Sequence, residues 1–152
     1  MLIFMKYIFA DEKIKEEIGK RWDGGTDKKV VAKHLHVDDG FSIVAIENGK
    51  YVGLISVSWK DLPYSLEGKN LEGFIDIVET HKDYRRRGIG KSLLEKAAVE
   101  AKKQGAFQLR AWSSKDKKAA IAMWKALGFG LHPETEHPGG EKIQGYYVIK
   151  IL

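Results

Sequence analysis

Three consecutive arginines, Arg85, Arg86 and Arg87, run into Gly88-Ile89-Gly90-Lys91, with an apolar stretch before them and a long amphipathic pattern after them. A strand that turns into a helix leaves the first backbone N–H groups of that helix without intrahelical acceptors. Glycine at the turn lets an anion come close to the main chain. The arginines add paired donors matched to phosphate oxygens, and Lys91 adds a further positive charge. A pyrophosphate suits such a turn. Two better-known phosphate loops do not fit. Arg85 stands where a P-loop ending in Gly90-Lys91-Ser92 has its first glycine, and the three-glycine dinucleotide fingerprint is missing. Read blandly, the two glycines only permit a tight turn; the arginines and the strong flanking elements favour an anion site.

Other polar residues invite chemistry less strongly. Asp76 interrupts the apolar run Phe74-Ile75-Asp76-Ile77-Val78, where a carboxylate is costly unless it has a role or a partner. Period-two alternation places Glu72, Phe74, Asp76, Val78 and Thr80 on one face of that strand. His132, Glu134, Glu136, His137 and Glu141 gather late in the chain, but their spacing matches no helix-borne ligand pair and Pro133 and Pro138 break the segment. A solvent-facing loop is expected there, without a metal. His34 and His36, flanking Leu35, are expected at the surface.

The elements that position these residues follow from periodicity and turn chemistry. Residues 2–9 read as a strand, and Asp11 caps a helix with Ile14, Ile18 and Trp22 on one face, ended by Gly24-Gly25. A short helix over residues 28–35 and a turn at Asp38-Asp39-Gly40 follow. Asn48-Gly49 joins two strands, 41–47 and 51–60, through a type I′ turn. Residues 61–70, with Pro63 and Gly68, read as a loop. Residues 71–80 read as a strand buried on both faces. Ile89, Leu93, Leu94, Ala97, Ala98 and Ala101 form one helical stripe ended by Gly105. Residues 107–112 form a strand, and Ser113 or Ser114 caps a helix buried through Ala120, Met123, Trp124 and Leu127. Residues 129–132 add a short strand before the last one, 146–152. This order predicts an α/β fold: one mixed, mostly antiparallel sheet of six to seven strands with about four helices on both faces.

The bulk composition agrees with one domain over residues 1–152. Of 152 residues, 43% are hydrophobic and 31% charged, as in an ordinary globular protein. With 26 Lys and Arg against 21 Asp and Glu, the net charge of +5 favours anionic ligands without demanding nucleic acid. The absence of cysteine excludes disulfides, thiolate metal sites and a cysteine nucleophile. No run approaches the roughly 20 apolar residues of a membrane span, and the N-terminus is too short and wrongly flanked for a signal peptide. A cytoplasmic protein is expected.

The stretch from Val78 to Leu94 resembles the acetyl-CoA motif of the GNAT superfamily of N-acetyltransferases, whose pattern is Arg/Gln-x-x-Gly-x-Gly/Ala. The hairpin bearing Gly53 is similar to that family's second and third strands. Residues 120–129 resemble its helix ending in Leu-Gly-Phe, so the likeness spans residues 41–129. It implies a GNAT-like fold, acetyl-CoA as cosubstrate, and an amine-bearing acceptor of unstated identity; a homodimer is left open. By position, Arg85 heads the motif, and the backbone groups of Arg86, Arg87, Gly88, Ile89, Gly90 and Lys91 would hold the CoA pyrophosphate. Val78, Glu79 and Thr80 would face the pantetheine arm, inserted where this strand splays from the next. The N–H near Val78 would serve as oxyanion donor.

Acetyl transfer needs a neutral amine, hence a base. Asp76 matches the place where polyamine-acetylating relatives carry an acid; the other reading has it bonded to a nearby Lys or backbone N–H, and Glu72 and Glu79 are weaker candidates. The family's usual tyrosine acid is replaced by Trp124, expected in the core, and Arg110 stands where some relatives carry a catalytic glutamate. Tyr146 or Tyr147 could substitute as acid, although packing roles are favoured. The acceptor pocket implied by the resemblance draws on residues 22–35, 59–70 and 132–143, including Trp22, Trp59 and Tyr64. Two other hypotheses stand beside the enzyme: a non-catalytic acyl-CoA-binding sensor, prompted by Trp124, and a nucleic-acid-binding module, prompted by the charge but supported by no motif.

Overall fold

The computed structural model describes residues 5–66 and 68–152. Leu2, Ile3 and Phe4 of the expected first strand lie outside the described residues, and β1 covers Met5–Phe9. Helix α1 (Glu12–Arg21) begins where the Asp11 carboxylate accepts the Ile14 N–H at 2.9 Å. It ends at Arg21, three residues before Gly24, with the Trp22 N–H on Ile18 O at 3.0 Å. Asp27 caps α2 (Lys28–Lys33) by accepting the N–H groups of Lys29 and Val30.

Strands β2 (Gly40–Glu47) and β3 (Lys50–Leu66) meet at Asn48-Gly49, whose φ values of 49° and 79° meet the demand of a type I′ turn. Opposite the Ala45–Ile46 step the register shifts, so that Gly53 pairs with Ala45 and Tyr51 with Ile46, leaving Val52 as a bulge. The expected loop over residues 61–70 is a correction: β3 continues through Leu66 and β4 (Lys69–Thr80) starts just after Gly68, at φ 79°. Asp61 and Pro63 are exposed, so the polarity of this stretch reflects a solvated extended strand rather than a loop.

After a 3-10 turn at Lys82–Tyr84 come α3 (Ile89–Lys103), β5 (Gln108–Ser114), α4 (Lys118–Ala126), β6 (Gly130–Glu134) and β7 (Gly145–Ile151). The seven strands bond in the order β1-β2-β3-β4-β5-β7-β6. The β4–β5 pair is parallel, while β1–β2, β2–β3, β5–β7 and β6–β7 are antiparallel. The mixed, mostly antiparallel sheet read from the sequence is therefore present, together with four α-helices among the described residues.

The chain forms two compact units, residues up to 59 with 76–99 and residues 60–75 with 100–152. In the first, Ile18, Trp22, Val31 and Leu35 from α1, α2 and the segments that follow them pack with Val44, Ile46, Tyr51 and Leu54. Burying each such aliphatic side chain is worth roughly 1.5–3 kcal/mol, which outweighs the modest helix propensity of two short, charged helices. Gly53 lets β3 approach α3: a Cβ there would lie 2.7 Å from Ile89 Cγ2. Burial on both faces belongs to β2 and to residues 51–58 of β3, not to β4 as expected; in β4 only Glu72, Gly73 and Ile75 are buried.

Tyr51 in this core donates its hydroxyl to Glu17, and burial together with that carboxylate pushes the phenol up from 10.0 to about 12. A raised folded-state value means that this contribution to stability is intact below the unfolded value and is lost as pH rises through the folded one. Phenolate absorbance in an alkaline titration should therefore show one tyrosine ionising near pH 12, and stability should fall across the interval from 10.0 to about 12. Loss of the late component in Tyr51→Phe identifies it.

In the second unit, Leu109, Ala111 and Ser113 of β5 are buried in alternation and pair with β7. Ser113 and Ser114 therefore belong to the strand, and neither caps α4. Lys117 occupies the cap position without a side-chain bond, and the Ser114 hydroxyl instead donates to Asp116. Trp124 is buried at 4% exposure, edge-on to Phe129 with ring centroids 4.9 Å apart, so its core placement holds.

Candidate active site

The turn that opens α3 is held by ties to distant segments of the first unit. The His81 N–H bonds to the bulge carbonyl of Val52 at 2.8 Å, and its buried ring places Nε2 2.8 Å from Asp23 Oδ1. The Asp83 N–H donates to His81 Nδ1, so a neutral ring carries its hydrogen on Nε2. Lys82 N–H bonds to Gly24 O at 2.9 Å, and Glu79 Oε1 accepts the Thr26 N–H at 3.0 Å. The segment after α1 is thereby strapped to the end of β4.

Beyond these ties the backbone turns sharply. Arg86 has φ 65° and Gly88 φ 79°. A left-handed arginine is uncommon, and no local signal announces it. The first intrahelical bond of α3 is Ser92 N–H to Gly88 O at 3.0 Å, so the N–H groups of Ile89, Gly90 and Lys91 have no intrahelical acceptor. Together with the positive end of the helix dipole they form a site for negative charge.

The arginines divide the work. Arg85 and Arg86 are exposed and make no ion pair among the described residues, and Lys91 is 3.9 Å from Glu95. The Arg87 guanidinium is committed elsewhere: it clasps Glu47 with both amino nitrogens and lies over the Tyr84 ring. Glu47 holds its charge firmly, raising it above the ordinary arginine value. Of the three side chains credited with phosphate donors, Arg87 is thus a structural clamp that fixes the turn.

Matches to known proteins fit this geometry. The family model described as acetyltransferase (GNAT) family matches residues 7–129. This chain belongs to the acetyltransferase (GNAT) family. It is 34% identical over 97 residues to an uncharacterized N-acetyltransferase of Methanocaldococcus jannaschii, covering 60% of this chain and 39% of that protein. It is 28% identical over 102 residues to N-alpha-acetyltransferase 30 of Schizosaccharomyces pombe, covering 67% of this chain and 65% of that one. The chain thus spans less than two thirds of the length of either relative. Among solved structures, NAA60 of Arabidopsis thaliana in complex with acetyl-CoA superposes with a TM-score of 0.78 at 12% identity, covering 98% of this chain and 99% of that one. That likeness shows the same fold.

Within this GNAT chain, Val78, Glu79 and Thr80 are half-buried on the last residues of β4, on the way to the anion turn. Asp76 precedes them, and its partner is neither a lysine nor a backbone N–H. His36 Nε2 lies 2.6 Å from Asp76 Oδ2, close but off the hydrogen-bond direction, so that Oδ2 is buried without a hydrogen-bond partner among the described residues. The side chain as a whole keeps 24% exposure. Asp39 Oδ1 lies 2.9 Å from the other ring nitrogen of His36, and that contact holds the Asp39 carboxyl below its ordinary value. The expectation of a surface His36 is thus corrected, whereas His34 is exposed. The available signal was Ser42 and Ser56, polar residues inside otherwise apolar strands.

Glu72 is closed to chemistry. It is fully buried, with Oε1 accepting from Gln108 at 2.7 Å and from Arg110 Nε at 2.6 Å, and Oε2 accepting from Arg110 at 3.0 Å. Trp22 also departs from expectation. It is a core residue at 3% exposure, edge-on to His81, and does not line an acceptor pocket. Trp59 is half-buried against Phe41, and the Tyr64 side chain lies outside what the structure describes. Tyr147 packs on Trp112 and beneath Arg110. Among the described residues no three His, Asp or Glu side chains converge as a metal site requires, and no helix is long and apolar enough to cross a membrane.

Proposed function

We propose that this chain transfers the acetyl group of acetyl-CoA to a primary amine. The observation that carries the reading is the turn at Arg86 and Gly88, which delivers three N–H groups at the head of α3 beside exposed Arg85, Arg86 and Lys91. Backbone groups of Arg86, Arg87, Gly88, Ile89, Gly90 and Lys91 hold the pyrophosphate. Val78, Glu79 and Thr80 offer main-chain groups to the pantetheine arm. The amine nitrogen attacks the thioester carbon, negative charge gathers on the carbonyl oxygen, and the Val78 N–H stabilises it. The C–S bond then breaks. Trp124 is buried, with its indole N–H unpaired among the described residues, and it does not protonate the sulfur. A thiol with an ordinary value of about 8.5 departs as thiolate with modest need of an acid. The proton lost by the amine goes to Asp76.

Calorimetry with acetyl-CoA and CoA tests the donor site: both should bind, and no heat at high micromolar ligand would sink the reading. In Gly88→Val the new Cβ meets nothing within 4 Å, so the cost comes through φ 79°. Forcing that angle on a β-branched residue costs about 1–2 kcal/mol, and a turn that relaxes to avoid it should weaken acetyl-CoA about tenfold or more. Equal affinities would place the pyrophosphate elsewhere. A thiol reagent that counts released CoA identifies the acceptor, starting from peptide N-termini, because one relative is named an N-alpha-acetyltransferase. The buried Trp124 also supports a second reading, an acyl-CoA-binding sensor, which predicts binding with no CoA release over the whole amine panel.

A further inference from the structure

We infer that His36 is a proton store behind Asp76, held in its working tautomer by Asp39, so that the three residues act as a carboxylate–imidazole–carboxylate unit during transfer. This rests on the acetyl-transfer reading above and adds to it two residues that carry no signature in the sequence.

The molecule builds His36 into place. Its N–H donates to Ser56 Oγ at 2.8 Å, and its carbonyl accepts from Ser42 Oγ at 2.7 Å. The two hydroxyls lie 2.9 Å apart. Each hydroxyl has one hydrogen, so with that of Ser42 on the carbonyl, Ser56 supplies the bond between them. Both serines are almost fully buried, at 1% and 0% exposure, on β2 and β3. Two buried side chains thus grip both polar ends of one histidine backbone, which a merely solvated histidine does not require. The ring is thereby set between two carboxylates. Nδ1 is 2.9 Å from Asp39 Oδ1 in hydrogen-bonding geometry. Nε2 lies 2.6 Å from Asp76 Oδ2, off the hydrogen-bond direction, so that a small turn of the Asp76 carboxyl brings the two into line.

The chemistry follows from this order. Asp39, with 73% of its side chain exposed, accepts the Nδ1 hydrogen and leaves the Nε2 lone pair toward Asp76. An ordinary carboxylate, with a value of about 3.9, is a poor resting place for a proton taken from an ammonium group, and an imidazole at about 6.5 is a better one. The acceptor's ammonium gives its proton to the Asp76 carboxylate, and the freed nitrogen lone pair attacks the thioester. Asp76 passes the proton to Nε2, becoming a carboxylate again while the ring becomes an imidazolium between two carboxylates. As the C–S bond breaks and CoA leaves as thiolate, the nitrogen gives its second proton to the freed Asp76 carboxylate. After the amide leaves, both protons pass to water and the ring is neutral once more. Ser42, Ser56, Asp39 and Asp76 face His36 from the elements around it, and the charge of Lys15 on α1 reaches Asp39.

The test compares the full chain with His36→Gln and Asp39→Asn, measuring acetyl-CoA affinity and the pH profile of CoA release with the best acceptor of the peptide and amine panel. His36→Gln should retain acetyl-CoA affinity, lower kcat about tenfold, and change the pH profile of CoA release. Asp39→Asn, an exposed substitution that spares the core, should change that profile too, with a smaller loss of rate. A His36→Gln enzyme with unchanged kcat and pH profile overturns the inference while leaving acetyl transfer standing. A wild-type chain that neither binds acetyl-CoA nor releases CoA takes both down. Nitrogen-15 spectra of the ring, which need no acceptor, should show the Nε2 signal moving in Asp76→Ala and the Nδ1 signal moving in Asp39→Ala. Ring signals indifferent to both substitutions overturn the arrangement.

Discussion

Arg110→Ala should lower the unfolding free energy by about 3–5 kcal/mol, the usual cost of stranding a buried charge. Glu72 is at 0% exposure and draws three hydrogen bonds, two of them from the Arg110 guanidinium. Removing that guanidinium leaves Gln108 alone to satisfy a buried carboxylate. Burial works against the charge of Arg110, yet the bond to Glu72 prevails and holds the guanidinium above its ordinary value. Its plane also stacks on Phe74 and Tyr147, at 5.2 and 4.6 Å from the ring centroids, so packing is lost with the charge. The reverse change should be milder. Glu72→Gln leaves the unpaired charge on Arg110, whose side chain keeps 23% exposure and can reach water. Urea unfolding at constant slope measures both. A loss under about 1 kcal/mol for Arg110→Ala, the range of exposed pairs, would mean that water already reaches Glu72.

Asp76→Asn is the substitution with the largest expected effect on turnover, lowering kcat by about a hundredfold while leaving acetyl-CoA affinity in place. Asparagine keeps the volume of the side chain, and its amide N–H can donate to His36 Nε2, so β4 and the anion turn should be undisturbed. What it loses is the basicity that accepts the amine's proton. The loss should exceed that of His36→Gln, because without Asp76 the imidazole has no path to the substrate. Raising the pH should recover part of the rate, since a larger share of the acceptor then arrives as free amine. A rate and pH profile equal to wild type would remove Asp76 from the reaction and leave it as the partner of His36.

Much of the architecture was legible because its causes are local. Asn48-Gly49 announces its turn through tolerance of positive φ, Asp11 announces a helix start through a short side-chain acceptor, and the α3 stripe shows in its spacing. Misreadings came where local cues had two meanings. Asp61 and Pro63 sit exposed on a strand where their polarity and turn chemistry suggest a loop, and the serine pair before α4 continues the alternation of β5. Strand β4 is apolar enough for two buried faces, but apolarity cannot say which strand receives them, and the sheet gives that place to β2 and the first half of β3.

The triple-arginine turn shows where the division falls. The sequence alone placed a strand, two glycines and a helix N-terminus in succession, and that succession creates an anion site wherever the chain folds it. Which arginines serve the anion was a tertiary decision. Arg87 is taken by Glu47, 40 positions away, because the hairpin sets that carboxylate beside the turn. The same holds for Asp76 with His36, and for Glu72 with Arg110, 38 positions away. Backbone turns and helix starts depend on the steric limits of neighbouring residues, which the sequence carries in order. Charge pairing depends on which segments register and packing bring within a few ångströms, and only the folded chain decides that.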